Sequence, residues 1–113
     1  MARAATTADV FNAVAEPRRR QILDLLAGAE RSVTDLVAAL GLAQPQVSKH
    51  LRVLRAVGAV DSREVGRQRL YRLNGVALKP IHDWVQGYAH LWSERFEALD
   101  AVLEELQAEG GTT

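Results

Sequence analysis

A chain of 113 residues, 48% of them apolar, is long enough for one domain with a modest core and too short for two. The absence of cysteine excludes disulfides, thiolate metal sites and cysteine nucleophiles, and it fits a reducing compartment. The formal net charge is zero, which argues against a nucleic-acid partner unless the charges are segregated along the chain.

No targeting or membrane-spanning segment is evident. The opening residues MARAATTA lack the apolar run of a secretory signal, and no stretch approaches the ~20 apolar residues that a membrane span requires. We therefore expect a cytoplasmic protein with no membrane partner. Its single domain is expected over residues 9–107, flanked by flexible segments at 1–8 and 108–113.

Two helices are predicted within residues 10–28. The apolar residues of VFNAV (10–14) mark a short first helix, and Pro17 opens a second, since proline suits the first turn of a helix but not its interior. The second helix ends at Gly28. Arginines at 18–20 oppose the helix dipole at its start, so they are either solvated or bind an external anion such as a phosphate.

A helix-turn-helix pattern follows. Ser32 and Asp35 have the capping-box arrangement, a hydroxyl at the N-cap and a carboxylate three residues later, which opens a short helix. Gly41 makes a tight turn before a second helix, which begins at Gln44 and ends at Gly58.

The second helix of this pair separates an apolar face from a polar, basic face. At 100° per residue, one stripe holds Val47, Leu51, Leu54 and Val57, and the opposite side holds Pro45, Ser48, Lys49, Arg52 and Ala56. One face can therefore pack against the domain while the other lies in a DNA groove.

A β-hairpin is predicted next, from VDSREV and RQRLYRL on either side of Gly66. Arg67 at its tip is placed to enter a DNA minor groove, the alternative being a merely exposed turn residue. Arg63 and Arg69 are placed to meet phosphates.

The charges are indeed segregated. Residues 41–72 hold seven basic and two acidic residues, a surplus of five positive charges, whereas residues 73–113 hold two basic and seven acidic residues. The first segment is the candidate phosphate-facing surface, and the second should point away from DNA. The alternative is that both are ordinary solvated surfaces.

One long helix is predicted from about residue 75 to 107, with apolar residues at three- and four-residue steps. At 1.5 Å per residue it would span on the order of 40 Å, more than a domain of this size can cover by itself. We therefore expect a homodimer through the terminal helices, the alternative being a purely intramolecular core. The expected interface residues are Phe11, Val14, Trp84, Tyr88, Leu91, Trp92, Phe96, Leu99 and Leu103.

Together these elements resemble the ArsR/SmtB family of bacterial winged-helix repressors, over residues 10–106. Three strings carry the resemblance: FNAVAEPRRRQILDLL, SVTDLVAALGLAQPQVSKHLRVLRAVGAV and REVGRQRLYRLN. The resemblance implies a mostly α winged helix-turn-helix fold with a small β-hairpin wing. It also implies a homodimeric transcriptional repressor that binds a palindromic operator in double-stranded DNA and releases it when an effector binds.

The resemblance further implies which side chains face the DNA groove. They lie at the start and middle of the second helix of the helix-turn-helix: Gln44, Gln46, Ser48, Lys49, His50 and Arg52. Most of them suit that role, since glutamine pairs with adenine, lysine and arginine with guanine or phosphate, and serine with either. His50 lies at the margin of the apolar stripe, so it is either a DNA contact or a partly buried structural histidine.

No metal or other cofactor is expected. The thiolate site of many relatives is impossible where this chain has SVTD (32–35), and the histidines and acidic residues after residue 80 depart from the spacing of metal-sensing relatives. His90 and Glu94 form an i, i+4 pair, but two ligands fall short of the four in a closed zinc site, and a solvated charge pair is the alternative. The aromatic-rich tail looks like the metal-free branch of the family, so the effector is unknown.

An enzyme is not expected, because the chain has no phosphate-cradling glycine loop and its three histidines have no evident nucleophile partner. The competing hypothesis is a winged-helix module that contacts protein, or that binds DNA without a specific operator, because the fold alone does not decide its use.

Overall fold

The computed structural model of the chain describes residues 9–111, except for the side chains of residues 93–98 and 109–111. The predicted flexible segment 1–8 lies outside the described residues, as do residues 112–113. The chain divides into two compact units, the first ending at Ile81 and the second beginning at His82. Within the described residues, no helix combines the length and the apolar character needed to cross a bilayer.

Four helices and three strands form most of the first unit. In chain order they are α1 (Val10–Val14), α2 (Pro17–Gly28), β1 (Arg31–Ser32), α3 (Val33–Leu40), α4 (Gln44–Ala56), β2 (Val60–Val65) and β3 (Gln68–Leu73). The helices and the hairpin lie where the sequence predicts them, and the mostly α fold with a β-hairpin wing is confirmed.

The turns and caps follow from single residues. The Ser32 hydroxyl accepts a hydrogen bond from the Asp35 amide at 3.1 Å, and the Asp35 carboxylate accepts one from the Ser32 amide at 3.2 Å, which closes the predicted capping box. Gly41 then adopts a left-handed conformation, with φ of 68°, that ends α3 and turns the chain into α4. The helix-turn-helix is therefore set by local chemistry.

The sheet is antiparallel, with strand order β1-β3-β2. Val65 pairs with Gln68, which leaves a two-residue loop in which Gly66 has a φ of +63°. We call residues 60–73 the wing. Strand β1 was not predicted, because its two residues are too few to show any alternation of apolar and polar side chains.

The core of the first unit lies where α4 packs against the other elements. Its largest fully buried side chains are Ile22, Leu36, Val47, Leu51, Leu54 and Val60. Three of these belong to the predicted apolar stripe of α4, so burying that stripe directs the opposite face of α4 outward.

The prediction of one helix from residue 75 to 107 is wrong. A 3-10 turn (Gly75–Leu78) is followed by α5 (Lys79–Gln86) and α6 (Ala89–Gly111). Between α5 and α6 the Gly87 amide donates a hydrogen bond to the Trp84 carbonyl at 3.2 Å, and the Tyr88 amide donates one to the Val85 carbonyl at 2.9 Å. These hydrogen bonds span three residues, as in a 3-10 helix, instead of the four of an α-helix. Glycine has low helix propensity, and the apolar spacing, which continues on both sides, does not register the break.

Candidate nucleic-acid interface

The outward face of α4 is polar and positively charged. Gln44, Gln46, Lys49 and Arg52 are exposed, and Ser48 is half-buried. Lys49 and Arg52 have no side-chain hydrogen bond or ion pair with any residue in the described part of the chain. Their charges therefore remain available to an external anion.

A groove of about 470 Å³ opens between α4 and the wing. We call it the α4–wing groove, and its lining residues are Ser48, Leu51, Arg52, Arg55, Ala56 and Tyr71. From the sequence, Arg55 is expected only as one of the basic residues of segment 41–72, and Tyr71 is not among the predicted site residues. Arg55 could have been found from its position three residues after Arg52, on the neighbouring side of the same helix, whereas Tyr71 becomes a groove residue only through the packing of the wing.

Two of the predicted α4 contacts also have roles within the fold. The Gln46 side-chain oxygen accepts a hydrogen bond from the Ala43 amide at 3.2 Å, which satisfies a donor at the start of α4. His50 is 18% exposed, its Nε2 lies 3.7 Å from Glu16 Oε2, and its buried Nδ1 has no partner among the described residues. This geometry favours the structural alternative for His50, in which it joins α4 to the start of α2.

The wing arginines differ in their partners. Arg67 is exposed at the tip and has no side-chain partner in the described part of the chain. Arg69 donates to Glu64 at 3.0 Å, and Arg63 makes a bidentate pair with Glu30 at 2.9 and 2.7 Å. A phosphate contact by Arg63 or Arg69 must therefore use the N–H donors that the carboxylate leaves free, or displace the carboxylate.

This arrangement can be compared with known proteins. Residues 16–62 match the family model described as bacterial regulatory protein, arsR family. Over 80 residues the chain is 30% identical to the transcriptional repressor SdpR of Bacillus subtilis, an alignment that covers 71% of this chain and 89% of the repressor. The chain belongs to the ArsR family. The resemblance expected from the sequence is confirmed.

Solved structures agree with the ArsR assignment. An ArsR-like transcriptional regulator from Rhodococcus sp. RHA1 superposes with a TM-score of 0.65 at 30% identity, covering 90% of this chain and 96% of that one. A winged helix-turn-helix DNA-binding domain from Mycobacterium bovis, described as homodimeric and as a possible ArsR-family regulator, gives 0.59 at 37% identity over 75% and 81%. The chain aligns with only about half the length of some other relatives, such as 48% of the SmtB repressor of Mycobacterium tuberculosis.

In the second unit of this ArsR-family regulator, a row of large apolar side chains is exposed. Trp84 is 57% exposed and contacts Tyr88 edge to face, with ring centroids 5.8 Å apart. The other exposed members are Leu91, Trp92, Leu99, Val102, Leu103 and Leu106. The Phe96 side chain lies outside the described residues. An exposed apolar row of this length along α5 and α6 is typical of a protein contact.

The remaining predicted interface residues lie on α1, in the first unit. Phe11 is 38% exposed and Val14 is half-buried against the core. Val14 therefore contributes to the fold of the ArsR domain itself.

Metal-ligand geometry is sparse in this ArsR chain. Among the described residues, no three or more histidine or acidic side chains are grouped closely enough to hold an ion. The His82 Nδ1 lies within hydrogen-bond distance of Asp83 Oδ1, at 3.3 Å, and its Nε2 lies 3.1 Å from Gln86 Nε2. The prediction for His90 and Glu94 falls on the Glu94 side chain, which lies outside the described residues.

Of the three arginines at the start of α2, Arg18 is exposed to solvent, whereas Arg19 and Arg20 bond the preceding helix. Arg19 donates to the Ala13 carbonyl at 2.6 Å, and Arg20 donates to the Val14 carbonyl at 2.7 Å. These carbonyls end α1, where cationic side chains are favourable. Arg19 and Arg20 therefore cap the preceding helix, a role hidden from the sequence because it depends on how the chain turns at Glu16.

Protonation of Glu30 is expected to destabilise the ArsR domain. The hydrogen bond from Arg63 holds the pKa of Glu30 below its ordinary value of 4.5, more strongly than burial raises it. Because the folded-state pKa is the lower one, this stabilisation is present above about pH 4.5 and is lost as the pH falls through the folded-state value. Glu30→Gln should therefore lower the free energy of unfolding at neutral pH and reduce its acid dependence, measured by urea unfolding at a series of pH values.

Glu64→Gln is the matched control, because the Glu64–Arg69 pair lies at the exposed end of the wing. It should leave the free energy of unfolding at neutral pH close to that of the unsubstituted protein. Some acid dependence of the free energy of unfolding should persist in Glu30→Gln, because Glu16 also has a lowered pKa. Burial raises the pKa of Glu16, but backbone hydrogen bonds from Arg18 and Arg19 lower it overall. An unchanged acid dependence in Glu30→Gln would refute the role of the Arg63 pair.

Proposed function

We propose that this ArsR-family regulator is a homodimeric transcriptional repressor that binds a two-fold symmetric operator in double-stranded DNA. One observation carries the proposal: α4 buries its apolar stripe and presents Lys49 and Arg52, without protein partners in the described chain, on the opposite face. A helix whose polar face is free to meet base edges and phosphates is what a helix-turn-helix inserts into the major groove.

The proposed contacts divide by their chemistry. Gln44, Gln46 and Ser48 lie in the first turns of α4, where side chains of a recognition helix reach base edges. Lys49 and Arg52 serve either guanine or phosphate. His50 remains in the proposed set through its position on α4, although its contact with Glu16 gives it a structural role as well.

The wing supplies the second set of contacts. Arg67 is proposed to enter the minor groove, where negative potential is concentrated in narrow A·T tracts. Arg63 and Arg69 are proposed to meet phosphates. Arg69 is the more available of the two, because it gives Glu64 a single hydrogen bond and the Glu64 side chain is 73% exposed.

The proposed dimer uses the exposed apolar row of α5 and α6 in a two-fold contact, together with Phe11 of α1. In such a contact the same surface of both subunits is buried, so the eight large apolar side chains of the row on one subunit pack against the same row of the other. The homodimeric description of the Mycobacterium bovis relative supports this arrangement. We propose that the protein acts in the cytoplasm, where its operator lies. We also propose that an effector releases it from DNA, and that this effector is bound without thiolate ligands, since the chain has no cysteine.

Selection of genomic DNA fragments by the purified protein, at two salt concentrations, tests the proposal. We expect enrichment of a symmetric site with half-sites about one helical turn apart, and binding that weakens as salt rises. The Lys49→Ala/Arg52→Ala protein is the control, and it should fold but enrich no site. Bulk, sequence-independent binding by the unsubstituted protein would favour an architectural role, and no binding would favour a protein partner.

A further inference from the structure

We propose that the α4–wing groove holds one sugar–phosphate strand of the bound DNA, positioned by Arg55 and Tyr71. The inference rests on the proposed DNA-binding function and assigns a partner to residues outside the contacts listed for α4 and the wing tip. It concerns the strand itself, so it makes a prediction for any duplex, with or without an operator sequence.

The position of the groove requires a backbone contact if α4 and Arg67 occupy adjacent grooves. The major and minor grooves of a duplex are separated by one sugar–phosphate strand, because each groove is bounded by the two backbones. A protein that places a helix in one groove and a hairpin tip in the next must therefore let that strand pass between them. In this chain the space between them is the α4–wing groove, of about 470 Å³.

The lining of the groove matches a phosphodiester strand. Arg52, Arg55, Ser48 and Tyr71 supply donors, and no acidic residue lines it. The exposed Ala56 supplies an apolar surface suited to a sugar, and the buried Leu51 lies beneath the floor of the groove. A guanidinium group makes charge-assisted hydrogen bonds to phosphate oxygens, which are about twice as strong as neutral ones.

The register of the wing extends the same line of donors. Residues two apart on a strand share a face, so Tyr71 and Arg69 lie on one face of β3. Their cross-strand partners on that same face are Ser62 and Glu64 of β2. Arg72 lies on the other face. Donors therefore run from Arg55 on α4, across Tyr71 and Arg69, toward the tip of the wing.

Arg55→Ala, Tyr71→Phe and the matched control Arg72→Ala separate this arrangement from a general charge effect. Arg72 belongs to the basic segment 41–72, but it lies on the face of β3 opposite to Tyr71 and does not line the groove. Arg55→Ala should weaken duplex binding about 10-fold or more and reduce the salt slope by about one. Tyr71→Phe keeps the packing of the ring and should weaken binding about 3–10-fold, while Arg72→Ala should change it less than about 2-fold.

The decisive measurement is fluorescence anisotropy with duplexes in which one phosphate at a time is replaced by a neutral methylphosphonate. For the unsubstituted protein, replacement of one phosphate, or of either of two adjacent ones, should weaken binding. For the Arg55→Ala protein, replacement of the same phosphates should not weaken binding further. Melting temperatures of all variants are compared to confirm that they fold. Equal losses of duplex affinity in Arg55→Ala and Arg72→Ala would overturn the groove assignment. So would a loss of affinity that is the same at every replaced phosphate in the unsubstituted and Arg55→Ala proteins.

The two proposals fail in different ways. Loss of a phosphate contact should weaken binding to operator and random duplexes by the same factor. If the unsubstituted protein selects no site but Arg55→Ala still weakens binding to random DNA, the groove assignment stands and the operator does not. If it binds no duplex at all, both are overturned.

Discussion

Leu99→Asp is expected to convert the protein from a dimer to a monomer and to reduce operator affinity by about 100-fold or more. Leu99 lies on α6 with 49% of its surface exposed, in the apolar row proposed as the subunit contact. A two-fold contact would bury two carboxylates near each other, and an unpaired buried charge costs several kcal/mol. The monomer would then lose the avidity that comes from two linked half-site contacts.

Sedimentation velocity gives the oligomeric state, and an anisotropy titration with operator DNA gives the affinity. Ala101→Asp is the matched control, since Ala101 is exposed and two residues from Leu99, which places it on the opposite side of α6. It introduces the same charge into the same helix and should leave the dimer intact. A dimeric Leu99→Asp protein, or a monomeric Ala101→Asp protein, would contradict the proposed interface.

The parts of the fold that could be predicted depend on local signals. The capping box of Ser32 and Asp35, the turn at Gly41 and the two-residue loop at Gly66 each act through a few adjacent residues. The face of α4 that packs follows from its 3.6-residue period. These signals were sufficient to locate the helix-turn-helix and the wing.

The features that were missed depend on contacts between distant residues or on a small propensity difference. Arg63 and Glu30 are 33 residues apart, and no pattern in the sequence pairs them. Strand β1 forms only because β3 is available to pair with it. The helix break at Gly87 depends on a single residue of low propensity within an uninterrupted apolar pattern.

The candidate site divides in the same way. The helical period predicts that Lys49 and Arg52 lie on the outward side of α4, and the family resemblance implies that this side faces DNA. Tyr71 could not be assigned, because its place beside Arg55 is set by the packing of the wing against α4. A site that spans two elements is therefore only half visible in the sequence.

Leu54→Ala is expected to lower the free energy of unfolding by about 2–5 kcal/mol without altering the DNA contacts of the folded molecule. Leu54 is fully buried on the apolar stripe of α4, so the substitution leaves a cavity that the surrounding side chains fill only in part. Such a loss is a large share of the roughly 5–15 kcal/mol that stabilises a typical domain. Urea unfolding at fixed protein concentration measures it, since dimer stability depends on concentration.

Lys49→Ala is the control on the opposite face of the same helix, and it separates the two roles of α4. Lys49 is exposed, so its replacement should change stability by less than about 0.5 kcal/mol while weakening DNA binding. Leu54→Ala should show the reverse: reduced stability, with nearly unchanged DNA affinity under conditions where the variant is folded. If Leu54→Ala weakened DNA binding as much as Lys49→Ala in the folded state, the division of α4 into a packing face and a binding face would be wrong.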